Sequence, residues 1–228
     1  MLFGNMANDD GNLILSELEK NILLDKFPDA KKFIKNLVGA EEFLHNKKRF
    51  CLWLVDATPA EIKKIPPIYE RIKKCREDRL HGAPDRKKLA ETPHLFRETF
   101  NPEKFIVVPK VSSEKRNYIP MDFLGKNFIA TDLLFIIPDA DLFLFGILQS
   151  SVHMLWTKTF CGRLESRYRY SATLIYNNFP FPEVEKIQRD NISKTAEKIL
   201  QVRKKYLSNA PESPTTLADL YNPIIMPK

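Results

Sequence analysis

Glycine is scarce and scattered in this sequence. There are seven glycines in 228 residues, and no two lie closer together than Gly4 and Gly11. The sequence therefore lacks the glycine-rich turn of a P-loop or of a dinucleotide-binding fingerprint. An S-adenosylmethionine site also needs such a turn after its first strand, so we expect no cofactor site within this chain.

Cysteine is equally sparse, with three residues that lie far apart at Cys51, Cys75 and Cys161. Their odd number and the absence of CxxC spacing argue against both a disulfide framework and a zinc site. We expect a chain of the reducing cytoplasm. The longest apolar run, residues 133–148, is interrupted by Pro138 and by two aspartates, so no membrane span or membrane partner is expected.

Motifs for base chemistry are incomplete. Methylation of an adenine amino group needs an Asn/Asp-Pro-Pro-aromatic tetrad that holds the flipped base. The nearest match is Asn178-Phe179-Pro180-Phe181, in which Phe179 replaces the first proline. We interpret this segment as the end of a strand, and we predict no catalytic residue and no metal ligand in the chain.

One enzymatic alternative stays open, a small metal-dependent nuclease. Asp29, Glu61 and Lys63 satisfy a loose PD…ExK pattern for binding a divalent cation. Both pieces lie in stretches with helical patterns, whereas such nucleases usually place these carboxylates on adjacent strands.

Positive charge is concentrated in one part of the chain. Residues 47–88 carry 13 Lys and Arg against 6 Asp and Glu, which accounts for the whole net charge of +7. A localised basic surface attracts a polyanion through counterion release. A solvated helix face explains the same run, and a basic module that binds an acidic protein is a further alternative.

The apolar pattern predicts an α+β fold with a mixed or antiparallel sheet, flanking helices and a helical C-terminal segment. Capping boxes at Ser16 and Thr58 predict two helix starts. Further helices are predicted over residues 30–37, 68–79, 141–161, 187–207 and 216–221, with a loop at 209–214. Strands are predicted over residues 49–55, 105–108, 118–119, 127–130, 133–137 and 168–176.

The segment KTFCGRLESRYRY (residues 158–170) combines basic and aromatic residues. An arginine can donate two parallel hydrogen bonds to guanine O6 and N7, and a glutamate can accept one from the cytosine amino group. Alternation along a strand would place Arg167 and Arg169 on one face and the tyrosines on the other. We therefore predict contacts to base edges from Arg163, Glu165, Arg167 and Arg169.

Other basic residues are candidates for the DNA backbone. Lys115 and Arg116 lie in a polar turn with short hydroxyl side chains, a composition that suits phosphate contacts and equally an ordinary hairpin turn. Lys158 opens the basic segment just described, and Lys126 lies in a polar turn between predicted strands. We assign these four residues to phosphate positioning.

Several stretches together resemble a known family. They are LFGNMANDDGNLILS (2–16), GAEEFL (39–44), RFCLWLVDATPAE (49–61), KLAETPHLF (88–96), VSSEKRNYIP (111–120), CGRLESRYRYSATLIYNNFPFP (161–182) and TLADLYNP (216–223). They are similar to the region that follows the catalytic domain in MmeI-like type IIG/IIL restriction–modification enzymes. In that family one polypeptide carries a nuclease, an adenine-N6 methyltransferase, a target-recognition domain and a helical C-terminal part.

The resemblance implies that residues 1–182 form a target-recognition domain and that residues 183–228 begin the helical part. It implies double-stranded DNA and the methyltransferase domain of the same polypeptide as partners. S-adenosylmethionine, and Mg²⁺ for cleavage, would belong to that longer protein, because the cofactor loop, the catalytic tetrad and the nuclease lie outside this chain.

Overall fold

A computed structural model describes residues 1–208 and 216–226. The strands are β1 (Leu2–Phe3), β2 (Ile14–Leu15), β3 (Ile34–Val38), β4 (Phe50–Leu52), β5 (Lys104–Pro109), β6 (Val111–Ser112), β7 (Asp122–Gly125), β8 (Phe128–Ala130), β9 (Leu134–Pro138), β10 (Gly162–Leu164) and β11 (Arg167–Arg169). The α-helices are α1 (Glu17–Lys26), α2 (Ala40–His45), α3 (Pro59–Lys63), α4 (Pro66–Leu80), α5 (Pro84–Lys88), α6 (Leu142–Leu148), α7 (Ser151–Phe160), α8 (Lys186–Ser208) and α9 (Leu217–Leu220). Pro28–Phe33 and Leu89–Glu91 are 3₁₀ segments, and Ala172–Tyr176 is a π-helix.

The strands form three sheets. Two have four strands, in the orders β1-β9-β5-β7 and β2-β4-β3-β8, and the third has three strands in the order β10-β11-β6. Neighbouring strands are antiparallel except β3 and β8, which are parallel. The expected α+β class with mixed and antiparallel sheets is confirmed.

Strand β5 is the centre of the hydrophobic core. Ile106 and Val108 face a cluster that includes residues of α6, α7 and the π-helix. Phe105 and Val107 face a cluster shared with β3, β8 and β9. Both faces of the strand are buried, which explains its continuous apolar sequence.

The long helix α8 packs against α6 at very close range. A Cβ added to Gly146 would lie 2.7 Å from Cγ2 of Ile192 and 3.3 Å from Cβ of Ala196. Further along α8, the buried Arg203 donates a hydrogen bond of 2.6 Å to the carbonyl of Met121. The C-terminal helix is thereby joined to the same core as the sheets.

Local capping signals predicted helix starts correctly. The hydroxyl of Ser16 accepts from the backbone N–H of Glu19, and the Glu19 carboxylate accepts in return from the backbone of Ser16. Thr58 and Glu61 make the same reciprocal pair at the start of α3. Each box satisfies backbone N–H groups that have no partner inside the helix.

The prediction of a helix over residues 30–37 is wrong. Residues Pro28–Phe33 form a 3₁₀ segment, and Ile34–Val38 is strand β3. This strand pairs with β4 on one side and with the distant β8 on the other. Tertiary pairing therefore overrides the local helical pattern.

Three other predictions differ from the structure. The strand expected over residues 118–119 does not form: Pro120 follows it, and the carbonyl of Ile119 accepts a hydrogen bond from the Gln149 side chain at 2.8 Å. The helix expected over 141–161 is broken, since the Ser150 hydroxyl caps a new helix, α7. The strand expected over 168–176 ends at Arg169, where Ser171 caps the π-helix.

The remaining helical expectations agree with the structure. Helix α8 covers the predicted span 187–207, and α9 forms the predicted short turn near residue 217. The loop expected at 209–214 lies outside the described residues. No helix in residues 1–208 or 216–226 is long and apolar enough to cross a membrane.

Candidate nucleic-acid interface

The arginine-rich segment forms a β-hairpin. Strands β10 and β11 are antiparallel and are joined by Glu165 and Ser166 alone. Glu165 has φ of 58°, in the left-handed region that two-residue hairpin loops use to follow the strand twist. On its other side β11 pairs with β6, so the hairpin is attached to the domain through a three-stranded sheet.

The register of the hairpin divides its side chains between two faces. Leu164 is opposite Arg167, and Gly162 is opposite Arg169. Cross-strand partners share a face, and so do residues two apart along a strand. We call the face that carries Leu164, Arg167 and Arg169 the reading face. Tyr168 lies on the opposite face and is buried, so the predicted alternation of arginine and tyrosine is confirmed.

Arg163 does not share the reading face with the other two arginines. It lies opposite Tyr168, and its guanidinium is 4.2 Å from the centroid of the Tyr168 ring. Its Nη1 also donates to the carbonyl of Ser166 at 3.1 Å. Arg163 is exposed at the edge of the hairpin, but its present contacts hold it over the tyrosine.

The arginines of the reading face are exposed. Arg167 pairs with Glu165 at 2.7 Å, with 45% and 76% of the two side chains accessible. Such an exposed ion pair contributes little to stability, so Arg167 can leave Glu165 for a stronger partner. Arg169 is exposed as well. Neither guanidinium is committed to the interior of the protein.

A buried polar pair lies behind the hairpin. Tyr170 follows β11 and is 2% exposed, and its hydroxyl is 2.9 Å from Nε2 of His153 on α7. Phe179 packs edge-on against the same imidazole, with 4.6 Å between ring centroids. Burial lowers the pKa of His153 to about 4, so the imidazole is neutral. The hairpin is therefore fixed at its base by locked side chains.

The turn after β6 is next to the hairpin. Ser112 is the β-partner of Tyr168, and its hydroxyl accepts from Nη1 of Arg116 at 3.3 Å. Burial lowers the pKa of Arg116, and Lys115 is exposed. On α7, Lys158 lines a shallow cleft together with residues of this turn. The structure thus brings Lys115, Arg116 and Lys158 close to the hairpin.

Lys126 lies elsewhere. It is in the turn between β7 and β8 and pairs with Glu103 at 3.1 Å. The neighbouring Gly125 is opposite Lys104, which begins β5, whereas β6 follows the other end of β5. Lys126 is therefore separated from the other three basic residues by the length of that strand.

Sequence reasoning missed Lys110, which connects β5 to β6. Its carbonyl accepts from the N–H of Tyr170 at 2.8 Å, and its ammonium lies 4.4 Å from the centroid of the Phe3 ring. Burial lowers the pKa of Lys110, and the charge of Arg169 acts in the same direction, while Asp132 opposes it. Two cations next to each other suit an anionic partner. Only the pairing of β6 with β11 reveals this neighbour, because 59 residues separate the two in the sequence.

Two arginines in residues 47–88 stabilise the fold through hydrogen bonds to the backbone. Arg79 is fully buried, and its guanidinium donates five hydrogen bonds to backbone carbonyls, those of Ala7, Asn8, Leu89, Thr92 and Leu95. Arg71 donates to the carbonyls of Asn12 and Ile14. The net charge of this segment therefore overstates the basic surface that it offers to a partner.

The nuclease alternative finds no support. Glu61 is in α3, where its carboxylate accepts from Thr58 and pairs with Lys32. These contacts lower the pKa of Glu61 to about 2. Asp29 lies in a 3₁₀ segment and Lys63 is exposed on α3. Within the described part of the chain no group of three or more His, Cys, Asp or Glu side chains could hold a metal ion.

The strand-to-helix junction at Gly39 does not fit the cofactor turn of an S-adenosylmethionine site. Gly39 lies between a strand and a helix, β3 and α2, where a cofactor turn would be expected. The space at its missing Cβ is taken by the Glu42 carboxylate at 2.8 Å and by the Thr131 hydroxyl at 3.0 Å. The Glu42 carboxylate also accepts from the Gly39 N–H, so the protein's own side chains fill this junction.

The fold is that of a target-recognition module. The family model described as "MmeI, target recognition domain" matches residues 1–183. The chain therefore belongs to the MmeI target recognition domain family.

Two individual proteins are similar over nearly the whole chain. DNA methyltransferase A of Bacillus subtilis (strain 168) is 42% identical over 228 residues, which are 99% of this chain and 25% of that protein. The solved structure of the type IIL restriction–modification enzyme MmeI in complex with DNA has a TM-score of 0.91 and 38% identity, covering 99% of this chain and 30% of the other. The chain thus spans about a quarter of the length of the curated relative.

Proposed function

We propose that this chain recognises a short, asymmetric sequence in double-stranded DNA through the hairpin of β10 and β11. The observation that carries the proposal is the pair Arg167 and Arg169, exposed on one face of a ribbon whose base is fixed by buried tyrosines. Membership of a target-recognition family supports the proposal, as does the likeness to an enzyme solved with DNA.

The dimensions of the hairpin suit the major groove. Paired strands lie about 4.8 Å apart, and the major groove of B-DNA, about 12 Å wide, admits a two-stranded ribbon. In our proposal Arg167 and Arg169 donate to guanine O6 and N7, and Glu165 accepts from a cytosine amino group. Arg163, at the edge of the ribbon, contacts a base edge once its guanidinium has moved away from the Tyr168 ring.

Basic residues around the hairpin position it on the duplex. Lys115, Arg116 and Lys158 contact phosphates beside the groove, and Lys110 does so next to Arg169. We place Lys126 on a more distant phosphate, because it lies at the other end of β5, roughly 16 Å away at 3.3 Å per residue. Phosphate contacts add affinity without sequence preference.

The chemistry belongs to a longer polypeptide in this proposal. That protein is a DNA adenine-N6 methyltransferase of a restriction–modification system in the cytoplasm, and its other domains bind S-adenosylmethionine and, for cleavage, Mg²⁺. Residues 1–182 hold the duplex beside the methyltransferase domain, and residues 183–228 begin the helical part. This chain supplies no catalytic residue.

A selection experiment tests DNA recognition. The chain is incubated with randomised duplexes at several salt concentrations, and the bound fraction is sequenced. We expect a defined sequence motif that persists as salt rises while non-specific binding falls. A bound fraction without sequence preference at any salt concentration would refute the proposal.

Two variants then separate specificity from positioning. Arg169→Ala should weaken binding of the selected sequence by about 1–3 kcal/mol and leave scrambled duplexes unaffected. Lys115→Ala should weaken both duplexes to a similar extent and reduce the salt slope by about one. Arg76→Ala, an exposed arginine on α4, is the matched control and should change neither.

A further inference from the structure

The reading face carries one large apolar side chain among its charged neighbours. Leu164 is 44% exposed, and its cross-strand partner is Arg167. Isolated exposed leucines are common on protein surfaces. Leu164 differs from such residues in its place, because the register puts it on the same face as both arginines that we assign to base edges.

The major groove offers one apolar group to such a side chain. Each base edge there presents hydrogen-bond donors and acceptors, and thymine adds a C5-methyl group. Leucine cannot form a hydrogen bond, so a contact with a polar base edge would leave that edge desolvated without a partner. The thymine methyl is the group in the groove that gains from contact with Leu164.

We propose that Leu164 recognises the C5-methyl group of a thymine next to a guanine contacted by Arg167; the proposal rests on the proposed function. Cross-strand Cβ atoms lie about 5 Å apart, and successive base pairs rise by about 3.4 Å. Leu164 and Arg167 therefore contact the same base pair or adjacent ones. Gly162 leaves the space beside them open, since an added Cβ would have no atom within 4 Å.

Replacing thymine by deoxyuridine tests this proposal, because uracil keeps the base pairing and lacks only the methyl group. The sequence selected by the chain is resynthesised with uracil at each thymine in turn, and binding is measured. The wild-type chain should lose about fourfold in affinity at one thymine, as expected for one methyl-sized group buried. Leu164→Ala should bind the thymine and uracil duplexes equally, and Leu164→Met should retain the discrimination.

Leu18→Ala is the matched control, since Leu18 on α1 is 69% exposed and lies outside the hairpin; it should discriminate as the wild type does. Three results would overturn the proposal: a selected sequence without an A·T pair, tolerance of uracil at every thymine, or discrimination that survives in Leu164→Ala. A chain that selects no sequence at all refutes the proposed function itself, so the two failures are distinguishable.

Discussion

At the scale of single residues, the same side chain has opposite roles in different surroundings. Arg169 is exposed on the reading face, whereas Arg79 is fully buried and satisfied by backbone carbonyls. Both occur in basic stretches of sequence, and composition does not distinguish them. Burial and partners decide which arginine is available to DNA and which one holds loops together.

Arg79 should therefore be essential for stability. Lysine has three donors on one nitrogen and cannot reproduce five hydrogen bonds from a planar fork. Arg79→Lys should lower the free energy of unfolding by at least about 3 kcal/mol, because buried carbonyls lose their donors. Urea denaturation measures the loss. Arg76→Lys, at an exposed position on the same helix, should stay within about 0.5 kcal/mol of wild type.

His153 should make stability depend on pH. Its pKa is lowered from 6.5 to about 4 by burial, so the unfolded chain binds a proton in that window and the folded chain does not. The free energy of unfolding should therefore be highest above pH 6.5. It should fall by roughly 3 kcal/mol as the pH decreases to 4. His153→Gln, which can still contact Tyr170, should flatten this part of the profile. A profile unchanged by the substitution would contradict the assignment.

The sequence predicted which side chains of the hairpin are exposed and which are buried. It did not predict which distant residues lie next to the hairpin. The order Arg167, Tyr168, Arg169 predicts exposed and buried positions on a strand, and the structure agrees. Lys110 lies next to Arg169 only because β6 pairs with β11. No local pattern contains that pairing.

At the scale of elements, local sequence signals predicted where helices start. They gave the wrong secondary structure where pairing with a distant strand determines it. The capping boxes at Ser16 and Thr58 involve neighbours three residues away, and both formed. Strand β3 depends on β8, about 90 residues further along the chain, so its local helical pattern was misleading. The π-helix after Arg169 was missed for a related reason, since a short apolar run does not distinguish it from a strand.

The contact between α6 and α8 should be sensitive to a single methyl group. Gly146→Ala places its Cβ 2.7 Å from Cγ2 of Ile192, and we expect a loss of about 1–3 kcal/mol from overpacking. Ile192→Ala removes the obstructing side chain. The double variant should therefore be more stable than the sum of the single effects predicts, as measured by urea denaturation. Additive effects would show that the two helices separate without strain.

At the scale of the whole molecule, net charge is a poor guide to the interface. The excess of +7 maps to residues 47–88, yet several of those charges hold the fold together, and the proposed interface uses residues 110–169. Five phosphate contacts, four near the hairpin and one from Lys126, predict a slope of about −4.5 in a plot of log affinity against log salt concentration. A slope near zero, measured on the selected duplex, would exclude this interface.

Methylation interference is the sharpest test of whether the hairpin arginines contact guanines in the major groove. Dimethyl sulfate methylates guanine N7, the atom to which Arg167 and Arg169 would donate. In the selected duplex, methylation of the contacted guanines should abolish binding, and Arg169→Ala should remove the interference at one of them. Binding that tolerates N7 methylation at every guanine would show that the hairpin arginines do not contact guanine N7.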